Sequence, residues 1–339
     1  MLSSNISIEA IAYELGPHRI TSAHLEEQIA ETMARLYIPP GQLERMTGII
    51  ERRFWDPGVQ PSDAATHAAR KLIDESGIDP DEIGCLVNTS VCRDYIEPST
   101  ACLVHGNLKL SPRCMSFDVG NACLGFLSGM QTIGMMLDSG AIKYGLVVNA
   151  EGSRDAIEQT IRLLQDSEAT MKTYKDNIAT LTIGSGAVAM LLTHKKHAST
   201  GHTINGMVSL AATEFNNLCV AQKDFMHTDT ATLMTEGIAL ASRTWQIASE
   251  TLPNWGNETI DRYVPHQVSV RQIEGMAKTM GIPPEKIQLN VRTHGNMAAA
   301  ALPITLAQAA EEGQITEGNH VGLLGIGSGL NCSMMSVTW

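Results

Sequence analysis

Two stretches of the chain share one plan, and together they decide the fold. Residues 120–153 read GNACLGFLSGMQTIGMMLDSGAIKYGLVVNAEGS, and residues 295–329 read GNMAAAALPITLAQAAEEGQITEGNHVGLLGIGSG. Each begins with Gly-Asn, continues through a helix-length run of apolar and small residues, crosses a polar turn and ends in a short apolar run typical of a buried strand. Similarity of this kind within one sequence predicts a duplicated structural unit.

The segments that precede these two stretches also correspond. Residues 68–91 (AARKLIDESGIDPDEIGCLVNTSV) and residues 247–268 (IASETLPNWGNETIDRYVPHQV) each read as a helix, a turn and an apolar strand. Short apolar strands that alternate with longer helices are typical of an α/β sheet. We therefore predict two related α/β halves, residues 1–195 and residues 196–339.

Composition and charge restrict the class of protein and its surroundings. The 339 residues are 43% hydrophobic and 18% charged, as in an ordinary globular protein, and the net charge of −12 argues against nucleic acid as a partner. The N-terminus lacks the features of a signal peptide, and no apolar run reaches the roughly 18 residues of a membrane span. The seven cysteines are odd in number and form no C-x-x-C motif, so neither a disulfide framework nor a metal site is predicted. We expect a cytoplasmic protein without a membrane span.

Three polar residues are predicted to meet between the halves. Cys123 follows a Gly-Asn turn at a predicted helix start, His266 closes the apolar strand RYVPH, and Asn296 lies at the start of the matching helix of the second half. Sites in open α/β sheets form at the carboxyl ends of strands, where these positions fall. Unpaired N–H groups at a helix start and a nearby imidazole can lower the pKa of a thiol, which makes Cys123 a candidate nucleophile.

Each candidate also has a simpler interpretation. An arbitrary cysteine is more often a small buried hydrophobe, most histidines are core or surface residues, and Asn after Gly is ordinary turn chemistry. Glu97, in DYIEPST, can be a solvated loop acid. Two glycine runs, TIGSGAVAMLL and GIGSGLNCSMM, lack the lysine of a phosphate-binding loop and read as tight turns into strands. The second run can present backbone N–H groups to an oxyanion around Ser328.

The combination of Cys123 at a helix start, PHQ around His266 and HGN around Asn296 resembles the thiolase superfamily. Within it the ketoacyl-ACP synthase III branch fits, from Thr47 to the end of the chain. The resemblance implies a duplicated thiolase-like fold with α-β-α-β-α layers. It also implies that Cys123 is the acylated nucleophile and that His266 and Asn296 polarise the carbonyl of the condensing substrate. The backbone N–H groups of Cys123 and Ser328 would form the oxyanion hole.

Two departures from the synthase III pattern affect what can be carried over. The Trp and Arg that often grip CoA correspond here to Gln42 and Met46, with Arg45 beside them, so no CoA contacts are assigned. Where those enzymes often have Phe before Pro-Ser, this chain has Glu97. In that respect it resembles the OleA-type acyl-CoA condensing enzymes of head-to-head olefin biosynthesis, in which the glutamate reaches across a homodimer into the partner's site.

The resemblance implies a non-decarboxylative Claisen condensation of two acyl-CoA molecules, with long acyl chains expected. A malonyl donor forms its carbanion by losing CO2, whereas a plain acyl-CoA must lose an α-proton, and Glu97 is the carboxylate that could accept it. The product would be a β-ketoacyl-CoA or a β-keto acid. Acyl-CoA would be substrate, with no separate cofactor, and downstream pathway enzymes would be partners.

Two other readings stay open. The first is an ordinary synthase III that condenses acyl-CoA with malonyl-ACP, and the second is a non-catalytic scaffold for other enzymes. The chain length of the acyl groups and the form in which product leaves also stay open. Aromatic residues make up only 4% of the chain and there are 17 methionines, which either line acyl tunnels or simply fill the core.

Overall fold

The structure is a computed structural model that describes residues 4–222 and 225–339. Within these residues the strands are β1 (Ile6–Leu15), β2 (His18–Thr21), β3 (Glu51–Phe54), β4 (Ile83–Asn88), β5 (Met115–Asp118), β6 (Tyr144–Glu151), β7 (Gly186–His194), β8 (Thr203–Ala211), β9 (Cys219–Ala221), β10 (Met226–Thr228), β11 (Arg262–Pro265), β12 (His320–Gly327) and β13 (Asn331–Thr338). The α-helices are α1 (Ser22–Gln28), α2 (Ala30–Arg35), α3 (Gln42–Thr47), α4 (Pro61–Ser76), α5 (Thr100–Leu108), α6 (Gly125–Asp138), α7 (Arg154–Leu164), α8 (Met171–Asn177), α9 (Thr230–Thr251), α10 (Val270–Met280), α11 (Val291–His294) and α12 (Ala301–Glu311).

Helix α4 shows how local sequence fixes these elements. Pro61 occupies its first turn, where a missing N–H is tolerated, and the Asp63 carboxylate accepts a hydrogen bond from the Gln60 N–H at 3.1 Å. Gly77 ends the helix in the left-handed conformation, with φ of 66°. A face of small residues and one leucine is buried: Ala64, Ala65, Ala68, Ala69 and Leu72.

Nine strands form one sheet that contains the same pattern twice. Its order is β11-β12-β13-β8-β1-β7-β6-β4-β5. In the first half β4 and β6 are parallel, and β6-β7-β1 are antiparallel; in the second half β11 and β12 are parallel, and β12-β13-β8 are antiparallel. The two halves join where β1 pairs with β8 through two residue pairs, Ile6–Ile204 and Ser7–Thr203. The predicted duplication is therefore confirmed in the strand pairing.

The helices pack on both faces of the two half-sheets and so form layers with them. Helices α6 and α12 share one buried cluster with strands of both halves, so they form a central layer. Helices α4 and α5 pack on the outer face of the first half, and α9 and α10 on the outer face of the second. The order across the molecule is thus α-β-α-β-α, as the resemblance implied.

Equivalent turns lead into the two central helices. A three-residue 3-10 turn, Ala122–Leu124, precedes α6, and another, Ala298–Ala300, precedes α12. The first residue of each turn is an alanine with positive φ, 44° at Ala122 and 42° at Ala298. Non-glycine residues rarely adopt this conformation, so its presence at both places is strong structural evidence of the repeat.

Superposing these turns corrects one sequence expectation. The structural counterpart of Cys123 is Ala299, and that of Asn296 is Gly120. The expectation that Cys123 and Asn296 occupy matched positions is wrong, because the two residues lie three positions apart in the repeat. Two of these positions arise because Cys123 follows its Gly-Asn pair by two residues, whereas Asn296 belongs to its own pair. The third arises because one more residue, Met297, separates the second pair from its turn.

The glycine runs also differ from one another. The first is a turn that leads into β7 at Gly186, as predicted. In the second, residues 328–330 form the turn into β13, and Gly325 and Gly327 lie at the end of β12, within the apolar run that is typical of a buried strand. The predicted turn into a strand is therefore confirmed around Gly329, but it does not include Gly325 and Gly327.

A smaller cluster lies beside the layers. Residues of α1, α2, α3, α7 and α8 pack together in their own apolar core. Between the halves, β7 ends at His194 and β8 begins at Thr203, and the predicted boundary between residues 195 and 196 lies in this connection. Among the described residues, no helix is long and apolar enough to cross a membrane.

Candidate active site

The end of β12 lies directly against the turn that holds Cys123. A Cβ atom added to Gly327 would lie 3.3 Å from the backbone nitrogens of both Cys123 and Leu124. At Gly325 an added Cβ would come within 2.5 Å of the Leu124 side chain. Glycine at these positions lets the strand and the turn approach closely. Ser328, whose N–H the resemblance assigns to the oxyanion hole, is the next residue after Gly327.

His266 lies immediately after β11, and its backbone is hydrogen-bonded to β12. Its backbone N–H donates to the carbonyl oxygen of Leu324 in β12 at 2.7 Å. The side chain is only 5% exposed, and neither ring nitrogen has a hydrogen-bond partner within residues 4–222 and 225–339. Burial lowers the pKa of His266 to about 4, so the imidazole is neutral at neutral pH. A buried imidazole without partners is suited to bind a polar group of a substrate.

Backbone hydrogen bonds hold Asn296 in place, and one further hydrogen bond orients its side-chain amide. The Asn296 N–H donates to the Thr182 carbonyl oxygen, and the Asn296 carbonyl oxygen accepts from the Gly184 N–H, both at 2.9 Å. The side-chain Oδ1 accepts from the Ala298 N–H at 3.0 Å, and in the part of the chain that the structure describes no group accepts a hydrogen bond from Nδ2. The amide N–H groups therefore remain as donors for a bound oxygen.

The first glycine run, through Gly184, helps to hold Asn296 in place. The sequence did not indicate this contact. A Cβ atom on Gly184 would lie 1.9 Å from the His294 carbonyl oxygen, so no other residue fits. The run reads as a plain turn because its function depends on a segment more than a hundred residues away. Gly184 and Asn296 are brought together only by the pairing of the two halves.

The thiol of Cys123 does not have the lowered pKa that the helix start suggested. Burial raises its pKa to about 12, and the negative charge of Glu151 adds to the effect, followed by that of Cys219. His266 is neutral, so it supplies no positive charge to the thiol. The side chain of Cys123 is half-buried. In the free protein this residue is a thiol, and it must lose its proton when it attacks.

Glu97 lies on the loop between β4 and α5, and no hydrogen bond or ion pair within the described residues joins it to Cys123, His266 or Asn296. Glu97 is exposed, and so are apolar neighbours on its loop: Val91 is 46%, Tyr95 60% and Ile96 100% exposed. The structure thus places Cys123, His266 and Ser328 along the second half of β12, it holds Asn296 beside Thr182 and Gly184, and it places Glu97 on the surface.

Both ends of this exposed loop are fixed by buried carboxylates. At its start the Glu151 carboxylate accepts hydrogen bonds from the N–H groups of Val91 and Cys92, at 2.9 and 3.1 Å. Further along, the buried Asp94 carboxylate accepts from the Ser62 hydroxyl at 2.6 Å and from the Thr100 hydroxyl at 3.1 Å. The loop therefore presents Glu97 from a well-defined position.

Glu151 is a buried acid near the site that the sequence did not single out. It is the last residue of β6, it is 3% exposed, and burial raises its pKa to about 7. The signal was present in VVNAEGS, because an acid that directly follows a buried strand run lies at the carboxyl end of the sheet.

An apolar cavity begins beside His266. It lies between α9, α10 and the strands β12 and β13, and its lining includes Ile238, Ile273, Met276 and Met334. Two of the methionines thus border a small space next to His266, and whether methionines line an acyl tunnel stays a prediction.

Comparisons with known proteins identify the family. The model of the 3-oxoacyl-[acyl-carrier-protein (ACP)] synthase III family matches residues 117–208, and the model of its C-terminal region matches residues 252–339. This chain belongs to the synthase III family. Its relatives include a β-ketoacyl-[acyl-carrier-protein] synthase III of Chlorobaculum tepidum, which is 30% identical over 310 residues and covers 86% of this chain and 89% of its own length.

Other members of the synthase III family are similar along the entire chain. An acyl-CoA:acyl-CoA alkyltransferase of Xanthomonas campestris pv. campestris is 43% identical over 339 residues, and one of Shewanella oneidensis is 40% identical over 354 residues. Each covers 100% of both chains. A crystal structure of Xanthomonas campestris OleA with bound lauric acid and lauroyl-CoA matches with a TM-score of 0.97 at 42% identity and full coverage of both chains. Solved structures of that OleA include variants in which a cysteine, a histidine or a glutamate is replaced.

Proposed function

We propose that this protein condenses two acyl-CoA molecules without decarboxylation, through an acyl-cysteine at Cys123. The observation that carries the proposal is the similarity over the whole chain to two acyl-CoA:acyl-CoA alkyltransferases, at 43% and 40% identity. The synthase III of Chlorobaculum tepidum is 30% identical over a shorter span. The surface carboxylate of Glu97 supplies the base that this reaction needs and a malonyl donor does not.

The first step is acyl transfer to the thiol. The Cys123 sulfur attacks the thioester carbonyl of one acyl-CoA, and the oxygen that gains charge is held by the backbone N–H groups of Cys123 and Ser328. The C–S bond to CoA breaks, the proton lost by the thiol goes to the departing CoA sulfur, and CoA leaves as a thiol. The acyl-cysteine is uncharged, which suits the buried site.

The second step forms the carbon–carbon bond. Glu97 of the partner subunit removes an α-proton from the second acyl-CoA, while the thioester oxygen accepts hydrogen bonds from neutral His266 and the Asn296 amide. The carbanion attacks the acyl-cysteine carbonyl, the bond to sulfur breaks, and the Cys123 thiolate takes up a proton. A β-ketoacyl-CoA results, and attack of water on its thioester gives a β-keto acid and CoA.

The dimer is part of this proposal. Glu97 is surrounded on its loop by apolar side chains, and Ile96 is fully exposed in the isolated chain. A group of exposed apolar residues on a rigid loop is typical of a protein interface. We propose that the loop packs on a second copy of this chain and brings Glu97 to the site of that copy.

Substrate length and setting are proposed from the comparisons. Long acyl chains are proposed because a similar structure, Xanthomonas campestris OleA, contains bound lauric acid and lauroyl-CoA. No cofactor other than the acyl-CoA substrates is proposed. We place the reaction in the cytoplasm, at the head of olefin biosynthesis, where enzymes that consume β-keto acids would act next.

A single incubation tests the proposal against its alternatives. Pure protein is mixed with one long-chain acyl-CoA alone, and product mass and free CoA are both followed. A β-ketoacyl-CoA or β-keto acid built from two acyl groups is expected. Product that forms only when malonyl-ACP is added would overturn the proposal in favour of an ordinary synthase III. Absence of any acyl group on Cys123 would indicate the non-catalytic scaffold.

A further inference from the structure

The side-chain amide of Gln267 uses all of its hydrogen-bonding capacity inside the protein. Gln267 is fully buried, with 0% of its surface exposed. Its Nε2 donates to the carbonyl oxygens of Pro265 and Gln288, at 2.9 and 3.0 Å. Its Oε1 accepts from the N–H groups of Asn290 and Val291, at 3.1 and 3.3 Å. A glutamine amide offers two N–H donors and two oxygen lone pairs, so each of them has a partner here.

These contacts fix the orientation of the amide and the two segments that it joins. A flipped amide would turn its NH2 group towards two N–H donors and its oxygen towards two carbonyl oxygens, so the network admits one assignment. Gln267 directly follows His266, and strand β11 ends at Pro265. The amide therefore connects the end of β11, beside His266, to residues 288–291, where α11 begins.

Helix α11 leads directly to Asn296. It spans Val291–His294, and the Gly295 N–H donates to the Val291 carbonyl oxygen at 3.0 Å. The first N–H groups of a helix have no partner within that helix, and Gln267 supplies an acceptor for two such groups at the start of α11. A shift at the start of α11 is therefore carried to Asn296 over a single helical turn.

The other hydrogen bonds hold His266 and Asn296 to different parts of the molecule. The backbone of His266 is bonded to β12, whereas the backbone of Asn296 is bonded to the segment that contains Gly184, in the first half. A backbone bond from the Gln288 N–H to the Tyr263 carbonyl oxygen, at 2.9 Å, also joins β11 to the start of α11, but it reaches β11 three residues before His266. The Gln267 amide makes this connection next to His266 itself.

We propose that Gln267 is a positioning residue for the condensation step: its amide fixes the start of α11 relative to His266 and so sets the separation between the His266 imidazole and the Asn296 amide. Both groups must reach the same thioester oxygen, so this separation decides whether the two donors act together. The role in condensation rests on the proposed function, whereas the hydrogen bonds do not. Acylation of Cys123 uses neither donor and should not need Gln267.

The test separates the two half-reactions in the variant Gln267→Met, whose side chain has a similar length but makes none of the four hydrogen bonds. Acylation of Cys123 is followed by protein mass, and condensation by the product formed from the acyl-enzyme in a single turnover. Gln267→Met is expected to keep the acylation rate and to lower condensation by about 10²-fold, as for a reacting group displaced by about 1 Å. Condensation at the normal rate would overturn the proposal.

Asn257→Asp is the matched control. The Asn257 amide also donates to two backbone carbonyl oxygens in the second half, those of Met280 and Gly281, both at 3.0 Å. Asn257→Asp removes both donors at a place that has no bond to residues 288–291 through its side chain, and it is expected to keep both rates. An equal loss of condensation in Asn257→Asp and Gln267→Met would indicate general loosening of the fold and would overturn the proposal.

A double-mutant cycle tests whether Gln267 acts through Asn296. In the Asn296→Ala background, Gln267→Met is expected to lower condensation by less than about threefold further, because no amide is left to place. A merely structural role would give the same loss in both backgrounds. A further loss of about 10²-fold in the Asn296→Ala background would therefore overturn the proposal.

Two measurements keep the test valid if Gln267→Met does not fold, which thermal melting would show. Gln267→Glu has the same shape and keeps an acceptor for the two N–H groups, so it takes the place of Gln267→Met in the cycle. In the unaltered protein, hydrogen exchange at the amides of Asn290 and Val291 is expected to be slow, because both donate to Gln267. Exchange as fast as in exposed loops would overturn the proposal.

Failure of this inference differs from failure of the proposed function. If the unaltered protein condenses two acyl-CoA molecules and Gln267→Met does so equally well, only the role of Gln267 is wrong. If the unaltered protein forms product only with malonyl-ACP, the proposed function is wrong, and the same cycle is then measured with that donor.

Discussion

In the first half of the molecule the turn before the central helix carries a thiol, whereas in the second half the equivalent turn carries only methyl groups. Cys123 lies in the first turn, and its structural counterpart is Ala299. The second half places its polar group earlier, at Asn296, where the backbone is fixed by Thr182 and Gly184. The repeated backbone therefore holds these two polar residues at different positions of the repeat, one within the turn and one two residues before it.

The largest effect is expected from removal of the thiol that distinguishes the first turn from the second. Cys123→Ala is expected to lower acyl transfer by about 10⁴-fold or more, because the covalent intermediate cannot form. The measurement is the mass of the protein after incubation with acyl-CoA, with thermal melting as the control for folding. An acyl group trapped on Cys92 or Cys332 in the unaltered protein would show that the assignment is wrong.

Removing the base should separate the two half-reactions. Glu97→Gln is expected to keep acylation of Cys123 but to lower condensation by about 10²–10⁴-fold, since an amide cannot accept the α-proton. A donor that decarboxylates should bypass the defect. The measurement compares acyl-enzyme formation with product formation in the same sample.

A mixture of subunits tests the position of the glutamate. When Glu97→Gln and Cys123→Ala proteins exchange subunits, one site of each mixed dimer has both defects and the other has both groups intact. Partial recovery of activity is expected. No recovery after confirmed exchange would mean that Glu97 does not act across the interface.

The second half should tolerate loss of its donor somewhat better. Asn296→Ala is expected to leave acylation intact and to reduce condensation by about 10²–10³-fold, as for the loss of one preorganised donor. Asn296→Asp is the matched variant, because it keeps an acceptor for the Ala298 N–H but loses the amide donor. Near-normal condensation by Asn296→Asp would contradict the assigned role.

The smallest effect concerns the shared backbone itself. Ala122→Gly and Ala298→Gly are each expected to raise the free energy of unfolding by about 1 kcal/mol, because glycine adopts positive φ without the penalty of a Cβ atom. Chemical denaturation of both variants measures the change. Clearly unequal values would show that the two turns are less alike than their φ angles of 44° and 42° indicate.

Much of the fold could be predicted because its signals are local. Buried strand runs, helix-length apolar runs and the Gly-Asn pairs are visible in each copy, and they repeat in the same order. The layers, by contrast, came from a family resemblance, since no local pattern shows that α6 and α12 pack against each other in the centre. The end of β12 was harder to predict, because the apolar run typical of a strand and the glycine run typical of a turn overlap at Gly325 and Gly327.

The candidate site divides in the same way. Cys123, His266 and Asn296 stand beside recognisable turns and strand ends, so their positions could be inferred. The direction of the pKa shift of Cys123 could not, because it depends on burial and on Glu151, which reaches the site from a different strand. Gly184 was missed because its close contact is with a segment distant in sequence. Glu151 had a local signal, its place after a buried strand run, but its hydrogen bonds to Val91 and Cys92 could not be predicted from it.

The join between β1 and β8 has a consequence for how the chain unfolds. Within residues 4–222 and 225–339 two residue pairs connect the half-sheets, yet both halves bury their inner faces on the same central pair of helices. Either half alone would therefore expose an apolar sheet face and an unpaired edge strand. The boundary near residue 195 therefore separates two copies of a repeated unit, neither of which is expected to fold alone. Calorimetry should record one cooperative unfolding transition for the whole chain.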